Sequence, residues 1–293
     1  MAVSPLGVDP RWGGRRIADT AGAVRVTMKL AAVQVREFFE QGWTLVPGLF
    51  TAGEMATARR ALERLYDSAQ RLRTTQEHEG AFFVLEAPPV GDVIVKRVVW
   101  AGGAEPDLLD LSADPRLVAP ALDLLGSDAC EQLLCQAHFK MPGDGVSFDW
   151  HQDVQHRDKG PGTWRDLNGR GSYVQTIMLI DDMTAANGPL KFIPRSAVQG
   201  DPQARLSLES YDYNTPMTAG AKPLPFDATR AVTVTGGAGS VLFFGPHAIH
   251  GSTSNGSAVP RRILINGYAY PGANGRVYPG RGSGRTLRRP LHG

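Results

Sequence analysis

From Glu131 onward the sequence is a succession of short apolar and β-branched runs, each cut off by a cluster of turn residues. The run 133–140 stops at Pro142-Gly143-Asp144-Gly145, and the run 173–180 is followed by Asn187-Gly188, which turns the chain into 190–193. The run 231–234 ends at Gly236-Gly237-Ala238-Gly239, before Val241-Leu242-Phe243-Phe244 and the long apolar stretch 261–268. Runs of this length between Gly, Pro and Asn signals read as strands, and Asn-Gly is a hairpin turn. The 34 glycines and 21 prolines agree with that reading and favour a β-rich fold over a helical bundle. A chain of 293 residues with 42% apolar residues can bury a sizeable core, and β-rich folds of this length are routinely single domains.

The first third of the chain reads differently. Val33-Gln34-Val35-Arg36-Glu37-Phe38-Phe39 predicts a short helix broken at Gly42, followed by a strand over 43–46. Thr51 and Glu54 form a capping box, and Met55, Ala58, Leu62, Leu65 and Tyr66 recur at helical spacing behind it. The runs 82–85 and 93–100 are strand-like. Asp114 and Pro115 open a second helix that Gly126 ends, and Pro120 inside it predicts a kink or a short 3₁₀ start. Residues 1–28, rich in Gly and Arg, read as a flexible arm, 29–275 as the folded domain, and 276–293 as a basic, Gly-rich, solvated tail. The loop-like stretch 195–230 is long enough to be a functional or covering element.

Composition narrows the functional classes. The net charge is +2, and no basic stripe with interleaved aromatics suggests nucleic acid. Cys130 and Cys135 are too few for a disulfide framework and lack C-x-x-C spacing, so a reducing, cytoplasmic location is expected for two inert buried thiols. The N-terminus has no apolar signal core, and nowhere do ~18 apolar residues run together as a membrane helix requires. Oligomeric state is not legible.

The chemistry centres on Trp150-His151-Gln152-Asp153. On an extended segment residues i and i+2 share a face, so His151 and Asp153 can offer an imidazole nitrogen and a carboxylate oxygen to one ion. A distant histidine would complete the set, and His250 follows the apolar run 241–244, with His247 competing three residues earlier. Two histidines and a carboxylate with open positions are the ligand set of non-haem Fe(II) oxygenases.

Three motifs together carry a resemblance: Trp150-His151-Gln152-Asp153; Asn187-Gly188-Pro189-Leu190-Lys191-Phe192-Ile193-Pro194-Arg195-Ser196; and His250-Gly251-Ser252 with Asn255, Ser257, Arg261 and Arg262. In order and spacing they resemble the phytanoyl-CoA dioxygenase family of Fe(II)/2-oxoglutarate oxygenases, over roughly residues 32–270 and most like its ectoine-hydroxylase branch. The chain departs from the family at Pro194-Arg195-Ser196-Ala197, where Pro-Gly-Ser-His is usual.

The resemblance implies a mainly β fold with flanking helices, a double-stranded β-helix or cupin-like jelly roll. It implies Fe(II) on His151, Asp153 and His250, with 2-oxoglutarate and O₂ as co-substrates, and hydroxylation of an unactivated C–H bond of a small, polar molecule. Asp153 speaks against halogenation, for which related enzymes replace that carboxylate by a small residue. The family position for the 5-carboxylate of 2-oxoglutarate falls on Arg261. Strand alternation then turns Ile263 and Ile265 inward with it and leaves Arg262 facing out. Gln136, His138 and Thr176 or a neighbour of it fall near the co-substrate, Trp150 and Trp164 are candidates for the substrate wall, and His247 is a candidate for the wall or for holding a metal ligand in place. The rivals are a metalloenzyme on the same barrel that uses no 2-oxoglutarate and a non-catalytic binding protein.

Overall fold

The computed structural model describes residues 29–154, 164–196, 226–275, 280 and 282–289. The arm expected over 1–28, most of the stretch 195–230 and part of the tail lie outside the described residues. α1 (Ala32–Gln41) ends at Gly42, whose φ of 96° lets the chain reverse straight into β1 (Trp43–Val46). α2 (Ala52–Leu72) starts on the expected capping box: the Glu54 amide donates to Thr51 Oγ1 at 3.3 Å, and the Thr51 amide donates to Glu54 Oε2 at 2.7 Å. Its buried stripe is Met55, Ala58, Ala61, Leu62, Leu65 and Ala69, with Tyr66 at the edge.

β2 (Gln76–His78), β3 (Ala81–Glu86) and β4 (Ile94–Val99) form an antiparallel meander, and a short α3 (Pro106–Leu111) that periodicity does not announce precedes α4 (Pro115–Leu125). α4 runs as an α-helix through Pro120, without the expected 3₁₀ start. Burial of Leu117, Val118, Ala121, Leu122, Leu124 and Leu125 on both sides of the proline holds the helix together despite the missing N–H.

The remaining elements are strands: β5 (Ala129–Lys140), β6 (Phe148–His151), β7 (Tyr173–Leu179), β8 (Leu190–Phe192), β9 (Val232–Thr233), β10 (Val241–Phe244), β11 (His250–Ser252), β12 (Arg261–Ala269) and β13 (Arg285–Arg288). They make two antiparallel sheets. The large one has the order β1-β10-β7-β12-β5-β4-β3-β2 with β13 added against β5, and the small one is β6-β11-β8-β9. Alternation sorts each large-sheet strand into two faces. Ile177, Leu179, Leu242, Phe244, Ile263 and Ile265 meet Leu190 and Phe192 of the small sheet in one buried cluster. Val174, Met178, Val241, Phe243, Leu264 and Tyr268 turn the other way, against the buried stripes of α2 and α4. The result is the expected jelly roll with helices on one outer face, and its interior lies between the sheets.

The tail is a correction. Arg285–Arg288 is not a solvated end but a strand on β5, with Leu287 packed against the helix-side core. The Arg285 guanidinium donates to Gln132 Oε1 and to the Leu109 carbonyl, both at 2.7 Å. Four alternating residues suffice because β5 leaves an unpaired edge at 129–132 that needs partners. No helix among the described residues is long and apolar enough to cross a membrane.

Candidate metal centre

β6 and β11 are neighbours in the small sheet, and their register sets His250 directly opposite His151. The two rings lie 4.2 Å apart between centroids, and Asp153 follows just beyond the end of β6. One ligand atom from each of His151, Asp153 and His250 lies within 4.8 Å of the others, and all three residues are buried. Each imidazole is oriented by its own strand: His151 Nδ1 donates to the Asp149 carbonyl at 2.6 Å, and His250 Nδ1 donates to the Ala248 carbonyl at 2.9 Å. That fixes the tautomer in which Nε2 is the ligating nitrogen of each ring.

His250 is further clasped by Phe192, stacked at 5.3 Å, and by Phe244, edge-on at 4.8 Å. Gly251 keeps β11 close to β6, because a Cβ there would fall 3.0 Å from the Phe148 carbonyl oxygen. His247 does not join the cluster; its carbonyl accepts from Gln152 Nε2 at 2.6 Å, which ties the two metal segments together. Two imidazoles and one carboxylate are a donor set that suits Fe(II).

Facing this cluster, the inner surface of the large sheet carries cations. Arg261 pairs across the ladder with Lys140, and Gln136, His138 and Lys140 share that face of β5. The Arg261 guanidinium is buried and donates from Nη2 to the Gly188 carbonyl at 2.6 Å, while Nε and Nη1 have no hydrogen-bond partner. Burial pushes its pKa down to about 10. Gly188, at φ +80°, has to be glycine for this contact, since a Cβ would meet Thr253 O at 2.7 Å and Lys140 Cδ at 2.8 Å.

Lys140 donates to Ser252 Oγ at 2.7 Å and to the Thr253 carbonyl, and burial, then Arg261, push its pKa down to about 6. His138 stacks on Phe148 at 4.6 Å and is in contact with the Gln136 amide. Burial first, then Arg97, Arg261 and Lys140, hold its pKa well below that of free histidine. A buried guanidinium with two unused donors is costly unless a ligand completes it, and a carboxylate of 2-oxoglutarate matches its fork.

Several expected site residues face elsewhere. Thr176 lies on the helix-packed face of β7, between Val174 and Met178, and Gln175 takes the inward place, accepting from the Tyr173 hydroxyl at 2.8 Å. Alternation requires Thr176 and Tyr173 to point oppositely, but only the stacking of the sheets decides which is inside. Trp150 points away from His151, to the outer face of the small sheet, where it packs on Phe226 at 5.6 Å and on Ile193 and Ile249. Trp164 packs edge-on against Tyr173 at 6.3 Å, beside the inter-sheet cluster.

Arg262 does face outward from the interior, as expected, but not into solvent. It is buried under α2, where Nε donates to Asp181 Oδ2 at 2.7 Å and Nη1 to Glu63 Oε1 at 3.1 Å. Arg195 occupies the family's glycine position with φ +63°, so the turn keeps the conformation glycine would take; Ala197 lies outside the described residues. Lys140, Phe148, Phe192, Phe244 and Gln175 also line the site, in roles that no sequence motif assigns them. Lys140 was within reach, because it continues the period-2 series Gln136, His138.

The phytanoyl-CoA dioxygenase family model matches residues 38–263. The chain belongs to the phytanoyl-CoA dioxygenase family. It is similar to the ectoine dioxygenase of Bordetella parapertussis, with 29% identity over 249 residues that cover 82% of this chain and 75% of that protein. It is also similar to the L-proline trans-4-hydroxylase of Streptomyces griseoviridis, 26% identical over 256 residues, 83% of this chain and 87% of that one. In fold it resembles EctD from S. alaskensis, solved with 2-oxoglutarate and 5-hydroxyectoine: the TM-score is 0.63 at 21% identity, covering 90% of this chain and 88% of that one. This family member is an Fe(II)/2-oxoglutarate-dependent dioxygenase, which sets aside the rival without 2-oxoglutarate and the non-catalytic one.

Proposed function

We propose that the enzyme hydroxylates an unactivated C–H bond of a small polar molecule, with iron on His151, Asp153 and His250 and the 5-carboxylate of 2-oxoglutarate on Arg261. The observation that carries this reading is the pairing of a buried three-ligand cluster with a buried, half-satisfied guanidinium across one interior. When bound, iron and 2-oxoglutarate supply the oxidising power: O₂ and 2-oxoglutarate yield succinate, CO₂ and one oxygen atom inserted into the substrate's C–H bond.

The chain's own residues do the rest. The Asp149 and Ala248 carbonyls hold the two imidazoles in their ligating tautomers. Phe192 and Phe244 fix the ring of His250 and keep water from it. The Gly188 carbonyl aims Arg261, and Lys140 adds a second donor beside it that can take up a proton when an anion arrives. Trp164 and His247 are proposed as substrate wall; Gln136 and His138 are proposed to border the co-substrate. The similar proteins are named for ectoine and L-proline, both small molecules, which supports the same size class here.

Anaerobic addition of Fe(II) and 2-oxoglutarate should produce the weak visible charge-transfer band of a chelated complex. His250→Ala should abolish the band and His247→Ala should preserve it; the reverse result would move the third ligand to His247. Succinate release across a panel of small polar compounds would then identify the substrate.

A further inference from the structure

Arg97 and Arg261 are the two arginines among the described residues that have a buried, unpartnered guanidinium nitrogen. By contrast, Arg59, Arg64, Arg116, Arg262 and Arg285 are all bonded to carboxylates or to carbonyl and amide oxygens. Arg97 sits on β4 directly opposite His138, so it shares the inner face with His138, Lys140 and Arg261. The neighbouring residues confirm the parity: Val98 belongs to the helix-side core, and Val99 packs against the inter-sheet cluster. His138, stacked on Phe148 in the strand that carries His151, links Arg97 to the metal ligands.

Arg97 and Arg261 spring from separate places on the sheet. From β12 to β4 is two strand spacings, and from Lys140 to His138 is two residues, which together separate the Arg97 and Arg261 Cα atoms by ~12 Å. Arg261 is moreover anchored on the Gly188 carbonyl, so its head does not swing toward β4. The half-buried Arg97 has no acidic partner among the described residues, and an unsatisfied Nε in that setting is a cost the fold has no structural reason to bear.

We propose that Arg97 binds the carboxylate of the primary substrate, which makes the substrate a small carboxylic acid held between β4 and the metal. This rests on the oxygenase reading above. The planar fork of Arg97 would orient the acid bidentately, so one particular carbon faces the iron.

The test uses the full chain with Fe(II) and 2-oxoglutarate and a panel of amino, hydroxy and aromatic acids, each paired with its neutral amide. In the wild type, at least one acid should stimulate succinate release tenfold more than its amide. Arg97→Met should raise KM for that acid by roughly thirtyfold or more, leave the 2-oxoglutarate constant within about twofold, and not lower the melting temperature. Arg97→Lys should recover part of the preference, because an ammonium keeps the charge but not the fork.

The proposal is overturned if no acid is preferred over its amide, or if Arg97→Met keeps the preference. It is also overturned if that variant chiefly weakens 2-oxoglutarate, or unfolds at a lower temperature that Arg97→Lys restores, which would make the residue a co-substrate or structural one. Failure of the oxygenase reading would look different: the wild type would give neither the charge-transfer band nor any succinate.

Discussion

Replacing Arg261 by methionine separates a ligand-binding arginine from a structural one. In the absence of ligand the change has two opposing effects. Removing a buried, incompletely paired cation is worth ~1–4 kcal/mol in favour of folding, while the Gly188 carbonyl loses its donor at 2.6 Å, a cost of ~1–3 kcal/mol. The melting temperature without 2-oxoglutarate should therefore move little.

With 2-oxoglutarate the two proteins should diverge. Loss of a charged partner for a desolvated carboxylate costs ~2–5 kcal/mol, so the dissociation constant should rise at least ~30-fold. At a 2-oxoglutarate concentration 100 times the wild-type constant, ligand binding stabilises the wild type by about 2.7 kcal/mol, but a variant with a 30-fold larger constant by only about 0.9 kcal/mol. Thermal melts of the metal-loaded proteins with and without 2-oxoglutarate would read this difference, and calorimetric titration would give the constants. Arg261→Lys should fall between, since an ammonium cannot reproduce the fork. A variant whose 2-oxoglutarate constant stays within twofold would refute the assignment, and a large fall in its ligand-free melting temperature would make Arg261 structural.

Arg262→Ala should do the opposite, destabilising the fold by about 3 kcal/mol because the half-buried Asp181 is left with Arg59 and the backbone amide of residue 262 as partners, while 2-oxoglutarate binding per folded molecule is unchanged; denaturant titration beside calorimetry checks both. Burial, then Arg261, push the Lys140 pKa from the usual lysine value of 10.5 down to about 6 in the folded protein, so between those pH values the unfolded state binds more protons and stability rises with pH. The stability advantage expected of Lys140→Met over the wild type should thus shrink as pH is raised from 6 to 9, and a gap independent of pH would contradict the buried-amine account. Arg195→Gly should raise stability by up to ~1 kcal/mol, since a non-glycine residue at φ +63° carries strain that glycine lacks; a lower melting temperature would mean that the Arg195 side chain makes a compensating contact.

Local signals in the sequence determined a good deal of this protein. The Thr51–Glu54 capping box, the Gly42 and Gly126 stops and the apolar stripe of α2 needed only neighbours a few residues away, so they were legible. The i, i+2 rule likewise put His151 with Asp153, Gln136 with His138, and Arg261 with Ile263 and Ile265, each pair or set on one face. Alternation is relative, however, and it cannot say which face of a strand meets the other sheet. Thr176 thus yields the inner place to its neighbour Gln175, Trp150 lies on the outer face of the small sheet, and Arg262 is a buried clamp under α2 rather than a solvated charge. The short run 285–288 has too few residues to announce a strand without the open edge of β5 to pair with. Only the tertiary structure decided that His250 stands opposite His151, that Lys140 stands opposite Arg261, and that Arg97 comes beside His138. Those registers join residues dozens of positions apart, and a contact between strands is set by how whole sheets pair and stack, which no local pattern encodes.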